Sequence, residues 1–265
     1  MKEHILTQLS AECPWRDTLH WYDSIDSTNS EAKKLARSGA PHGTVLIAGH
    51  QTGGRGRIGR SFSSPEGMGV YLSVILRPGC AAAELMHLTC ATAVAMSNAV
   101  EQAAGFRPKI KWTNDLIFGN KKLGGILTEL SVVNSGLVEY AIVGIGINCL
   151  QQAQDFPPEL QSIATSLSMA TGANPDPCRL AAAMITALAD MDRRLLTEKQ
   201  QLLSAYKRDC ITLGKDVFLL RSGQTCSGTA VDLDENGGLI VRLTDGSVHT
   251  VTSGEVSVRG MCGYV

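Results

Sequence analysis

The sequence predicts an α+β fold: a mixed or antiparallel sheet packed with helices, followed by a small SH3-like β-barrel. Three observations carry this. Helical and strand-like stretches follow one another without the regular alternation of a parallel βαβ array. Residues 109 to 148 read as short apolar strands joined by turns. From Gly214 onward brief β-prone runs are punctuated by glycine-containing turns. The 265 residues suit one large domain and a compact second one, with the boundary near Leu213: residues 1–213, then 214–265.

Taking the elements in order, Thr28 and Glu31 are spaced for a capping box opening a helix through about Arg37, with Gly39 beyond its end and a strand from Thr44 to Gly49. Val70 to Leu76 is a second strand. Ala81 to Ala104 is alanine-rich with apolar residues at helical spacing, which predicts one long core helix. Strands are expected at Lys109 to Trp112, Leu116 to Phe118, Gly124 to Val133 and Leu137 to Asn148, the last two joined by an Asn134-Ser135-Gly136 hairpin turn. Between Pro177 and Lys207 the pattern is helical again, with Arg179, Arg193, Arg194 and Lys199 on solvated faces. Val217 to Leu220, Thr229 to Leu233, Leu239 to Leu243 and Ser247 to Val251 then supply the barrel, with turns at Ser222-Gly223, Asn236-Gly237 and Asp245-Gly246.

Apolar residues make up 44% and charged residues 18%, and 24 Lys+Arg against 25 Asp+Glu leave a net charge of −1, so no global signal points to nucleic acid or membrane. Met1 to His20 contain no uninterrupted hydrophobic stretch, which predicts neither a signal peptide nor a span and a cytoplasmic protein. The eight cysteines include no C-x-x-C pair and read as reduced, mostly core residues.

The chemistry concentrates in Gly53-Gly54-Arg55-Gly56-Arg57-Ile58-Gly59-Arg60. Glycines let the backbone approach a ligand and expose amide N–H groups, and arginines supply permanently charged planar donors, so this is an anion-binding loop. Mutual repulsion predicts that it is mobile when empty and orders over its ligand. It lacks the Lys-Ser/Thr of a Walker loop, and a strand rather than a helix follows it. A basic surface loop that touches RNA is the plain alternative. Four further segments bear on the choice: Asp26-Ser27-Thr28-Asn29, which could be only a helix N-cap; Lys111-Trp112-Thr113-Asn114-Asp115; Lys122-Leu123-Gly124-Gly125-Ile126-Leu127; and Gly144-Ile145-Gly146-Ile147-Asn148.

In combination and order, these segments closely resemble the biotin protein ligases, whose marks are I-D-S-T-N, Q-x-x-G-R-G-R-x-G-R, K-W-x-N-D, K-x-x-G-I-L and G-I-N. The resemblance runs from about Trp21 to Asn148, and the C-terminal region looks like the family's closing domain. It implies a class II synthetase-like catalytic domain and ATP-dependent biotinylation of a lysine through biotinyl-5'-AMP, releasing pyrophosphate and AMP. It further implies that Ser27, Thr28, Gln51, Gly54, Gly125 and Gly144 lie against biotin and that Arg55 and Arg57 cover it. Lys122 bridges biotin's carboxylate and the α-phosphate, while Arg60, Phe62, Asn114, Asp115 and Asn148 serve ATP. Lys122, Arg55, Arg57 and Asp115 are the expected catalytic set, with Mg²⁺ on Asn114 or Asp115. The implied partner is a biotin carboxyl carrier protein or the carrier domain of a biotin-dependent carboxylase, with a monomer or weak homodimer as the assembly.

These roles make chemical sense. Biotin's carboxylate must attack a phosphate that repels it, so cations have to bridge two anions, and the displacement needs alignment rather than a protein nucleophile. Two positions depart from the commonest pattern: Phe62 stands where tryptophan often follows the loop, and Thr113 where proline is usual. An aromatic at 62 still stacks on adenine, with less area. Some members carry an N-terminal DNA-binding domain; about twenty residues before Trp21 leave no room for one, so no DNA binding is expected. The alternatives are a lipoate ligase or octanoyltransferase, the latter needing a nucleophilic cysteine for which Cys149 is the nearest candidate, and a non-catalytic biotin sensor or RNA-binding protein.

Overall fold

Seven strands build the larger sheet of this computed structural model, which describes residues 1–221, 224–252 and 256–258. They are β1 (Leu19–Ile25), β2 (Thr44–Gln51), β3 (Gly69–Leu76), β4 (Lys109–Lys111), β5 (Asp115–Phe118), β6 (Lys121–Val132) and β7 (Val138–Asn148), in the order β1-β2-β3-β7-β6-β5-β4. Only the β1–β2 pair is parallel, so the sheet is mixed. The apolar runs of β2, β3 and β7 are buried because helices cover both faces. On one face α2 (Thr28–Arg37) sets Ala32 and Ala36 against Leu46, Ile75, Tyr140 and Ile142. On the other lie α3 (Leu88–Ala104), α5 (Pro177–Arg194) and α6 (Lys199–Asp209), with α1 (Lys2–Gln8) against α5. A short α4 (Leu167–Thr171) is capped by Ser166, whose Oγ accepts from the Met169 N–H. Among the described residues no helix is long and apolar enough to cross a membrane.

Several expectations are corrected. The capping box does not form. Ser27 occupies the N-cap without a side-chain bond, the Thr28 N–H donates instead to Gln51 Oε1 at 2.8 Å, and Glu31 pairs with Lys34. The cap thus comes from the end of β2, which ties the helix to the loop that follows. The long helix from Ala81 is interrupted: a 3₁₀ turn spans Ala82–Leu85, and α3 starts only after His87, a buried residue whose Nε2 lies 2.8 Å from the Leu195 carbonyl. The stretch from Pro177 to Lys207 is helical as expected, in two helices, whereas α1, β1 and α4 are additions to the expected elements.

The expected hairpin between β6 and β7 is present, with Gly136 at φ 82° donating to the Val133 carbonyl. Beyond Gly214 a separate antiparallel sheet runs β11-β10-β9-β8-β12: β8 (Asp216–Arg221), β9 (Gln224–Leu233), β10 (Leu239–Leu243), β11 (Val248–Val251) and β12 (Val256–Val258). The Ser222-Gly223 turn, and Gly254, Glu255, Arg259 and Gly260, lie outside the described residues.

Candidate active site

The N-terminus of α2, the arginine loop between β2 and β3, the β4–β5 turn and the middle of β6 and β7 converge on one cavity. Of the fourteen residues singled out in the sequence, twelve line it: Ser27, Thr28, Gln51, Arg55, Arg57, Arg60, Phe62, Asn114, Asp115, Lys122, Gly125 and Gly144. Gly54 lies beneath the loop instead. A Cβ there would collide with the Phe62 carbonyl and the Ser64 hydroxyl, and its own carbonyl accepts from the Phe62 N–H. Asn148 is buried behind the cavity, donating to the Thr165 carbonyl and accepting from Gln151.

At the buried end, Ser27, Thr28 and Asn29 are nearly inaccessible. The Thr28 hydroxyl donates to Gln51 Oε1 at 3.1 Å and accepts from Ser73, and Gln51 Nε2 donates to Ser64. A row of small residues on β7 makes the space: a side chain on Gly144 would overlap the Asn29 amide, and one on Gly146 would strike the Phe62 ring. That ring stands edge-on to Tyr71, with centroids 6.4 Å apart.

Charge is heavily one-sided. Among the described residues, Arg55, Arg57, Arg60, Lys111 and Lys122 line the cavity against a single carboxylate, Asp115. Lys122 Nζ lies 2.6 Å from Asp115 Oδ1. The loop's arginines are not left to repel one another in solvent. Arg57 donates to Asn114 Oδ1 at 2.9 Å, and Arg55 reaches Glu129 Oε1 at 3.4 Å. Burial pushes the Glu129 carboxyl up, but hydrogen bonds from Lys33 and Asn29 and the charges of Lys33 and Arg55 bring it below the ordinary value.

The β4–β5 turn is fixed from behind. The Trp112 N–H donates to Thr212 Oγ1, its indole N–H donates to the Gly237 carbonyl at 2.9 Å, and the Tyr206 hydroxyl donates to the Thr113 carbonyl. The Trp112–Thr113 peptide is cis. Asn114 is held on both sides, its Nδ2 donating to the Ile126 carbonyl and its own carbonyl accepting from the Ile126 N–H.

Lys111, Trp112 and Asn29 also line the cavity, although the sequence reading assigned them no ligand. A signal was available for Lys111. It pairs in register with Asp115 across the β4–β5 ladder, and strand alternation places it on the face of that carboxylate. As for a divalent cation, Asp115 offers the one carboxylate that the described residues bring to the cavity, while the Asn114 oxygen already accepts from Arg57. Such a donor set fits magnesium, which takes few protein oxygens and completes its shell with phosphate and water.

Comparison with known proteins bears on this geometry. Residues 21–148 match the model of the biotin/lipoate A/B protein ligase family, and residues 212–259 match the biotin protein ligase C-terminal domain. The bifunctional ligase/repressor BirA of Bacillus subtilis is 36% identical over 229 residues, covering 86% of this chain and 70% of the relative. The chain belongs to the biotin protein ligases. This ligase is also 31% identical to the biotin–[acetyl-CoA-carboxylase] ligase of Mycobacterium tuberculosis over 254 residues, covering 94% of this chain and 91% of that one. Among solved structures, it is similar to the Aquifex aeolicus biotin protein ligase in complex with biotin and ATP, with a TM-score of 0.77, 31% identity and coverage of 91% and 98% of the two chains.

Proposed function

We propose that this ligase activates biotin with ATP to biotinyl-5'-AMP and transfers the biotinyl group to a lysine of a biotin carrier domain. The observation that carries the reading is the convergence of five cations and only one carboxylate on a cavity whose other end is neutral and polar. Two anions, a carboxylate and a triphosphate, must be held at attacking distance, and the cost of their repulsion is offset by preorganised positive charge.

Biotin's ureido ring belongs at the buried end. Ser27, Thr28 and Gln51 provide hydroxyls and an amide there, Ile126, Leu127 and Ile145 offer an apolar wall for the tail, and the bare backbone at Gly144 and Gly125 lets Asn29 and Lys122 pack close beside it. The carboxylate then faces Lys122, with Arg55 and Arg57 above it, while Arg60 and Phe62 meet the nucleotide. Lys122 neutralises the attacking carboxylate oxygen and the α-phosphate it strikes, and pyrophosphate departs. In the second step the neutral amine of the carrier lysine attacks the anhydride carbonyl, the C–O bond to phosphate breaks so that AMP departs as the amide forms, the amine gives up a proton, and the loop keeps water away. Asp115 is the residue that would hold Mg²⁺, and the ion would supply charge neutralisation at the phosphates. Gly54 and Asn148 act from behind, shaping the loop and the end of β7.

The experiment is biotin-dependent exchange of labelled pyrophosphate into ATP, run against lipoate and octanoate, followed by mass analysis of a purified biotin carrier domain. Exchange with biotin alone and a single biotinyl mass increase are expected; equal exchange with lipoate overturns the substrate assignment. Among the described residues no cysteine lines the cavity to serve an octanoyltransferase: Cys149 is fully buried, and burial pushes its thiol up to about 12.

A further inference from the structure

We propose that Glu129 is a positioning residue that holds Arg55 at the mouth of the cavity before substrates arrive, and that Lys33 sets how firmly it does so. The proposal rests on the ligase reading. Glu129 sits on β6 and does not line the cavity. Its Oε2 accepts from Asn29 Nδ2 at 3.0 Å, while Oε1 is shared by two cations, Lys33 Nζ at 2.6 Å and an Arg55 guanidinium nitrogen at 3.4 Å. The side chain is only 20% exposed, whereas that of Arg55 is 44% exposed and belongs to a loop whose glycines make ordering costly in entropy. Among the described residues Glu129 is the carboxylate that Arg55 reaches, and without it biotin would have to order the guanidinium unaided. Lys33 is nearer to the shared oxygen, so it draws part of the carboxylate's field away from Arg55.

The two variants therefore move the loop in opposite directions. Glu129→Gln keeps the shape and an oxygen for Asn29 but removes the charge; Lys33→Met keeps the charge and removes the competitor. With ligand-free protein, trypsin cleavage after the loop arginines should be faster in Glu129→Gln and slower in Lys33→Met. An ion pair this exposed is worth up to about 1 kcal/mol, so KM for biotin in pyrophosphate exchange should rise about 2- to 5-fold in Glu129→Gln, with kcat moved less, and should not rise in Lys33→Met. In an Arg55→Ala background, Glu129→Gln should add nothing to KM.

A purely structural role for Glu129 would shift both single variants the same way, in cleavage and in thermal midpoint alike, and that result overturns the proposal. So does an undiminished Glu129→Gln effect without Arg55. Should Glu129→Gln not fold, Lys33→Met with and without Arg55→Ala decides the matter, since slower loop opening must then depend on Arg55. If the wild-type protein performs no exchange, the ligase reading fails, while the cleavage experiment still reports on Glu129 by itself.

Discussion

Replacing Lys122 with alanine tests the electrostatic account most directly. Lys122 Nζ is 2.6 Å from Asp115 Oδ1, and five cations against one carboxylate leave the cavity lining four charges positive. The substitution reduces that excess to three and leaves Asp115 without its closest cation, beside the place proposed for the developing phosphate charge. A unit charge about 4 Å from that charge, at an effective dielectric of about 20, contributes about 4 kcal/mol, close to a thousandfold in rate. Losing one preorganised donor of this kind costs about 100- to 1000-fold in other enzymes. We expect biotin-dependent pyrophosphate exchange to fall by that factor, with the thermal midpoint nearly unchanged because the Lys122 side chain is 35% exposed. Exchange within about threefold of wild type, in a folded variant, would refute the placement of the reacting carboxylate beside Lys122.

Other consequences are as direct. Gly146→Ala drives a methyl group into the Phe62 ring and should raise KM for ATP about 2- to 10-fold, whereas Phe62→Trp should lower it; unchanged values in steady-state kinetics would remove Phe62 from the nucleotide site. Cys149→Ser should leave exchange within about twofold of wild type, since a buried thiol with a raised pKa takes no part in the chemistry; its thermal midpoint should fall modestly. Asp209, almost fully buried, accepts from Arg107 and Arg208. Burial pushes its carboxyl up, but these partners bring it below the ordinary value. A depressed folded pKa means that the stabilisation is complete above the unfolded value and lost as pH falls through the folded one. Urea unfolding should therefore show Asp209→Asn about 3 kcal/mol less stable than wild type near neutrality, with the gap shrinking in acid.

Much of this was readable from one dimension. The apolar runs of β3 and β7 are buried on both sides, and the Asn134-Ser135-Gly136 turn joins β6 to β7 where expected, because a buried strand and a tight turn each write their needs locally. The elements that escaped are those that bury little: β1 is an edge strand with only Leu19 buried, and α1 buries only Ile5. The breaks at His87 and after Arg194 meet in space, where His87 Nε2 lies against the Leu195 carbonyl, a contact 108 positions apart that no local pattern announces. At the site, residue types announced an anion-binding loop, but not what restrains it. Glu129 is 74 positions from Arg55 and Asn114 is 57 from Arg57, and only the sheet brings them together.

The bond from the Trp112 indole to the Gly237 carbonyl has a wider meaning. Gly237 belongs to the tight connection between β9 and β10, at φ 85°, and a methyl group there would press on Cys90 of α3. One flank of the tryptophan borders the reaction chamber, and the other leans on the smaller sheet. Damage to that distant connection would therefore be felt where adenylate is made, and a filled chamber would in turn brace the far sheet against opening.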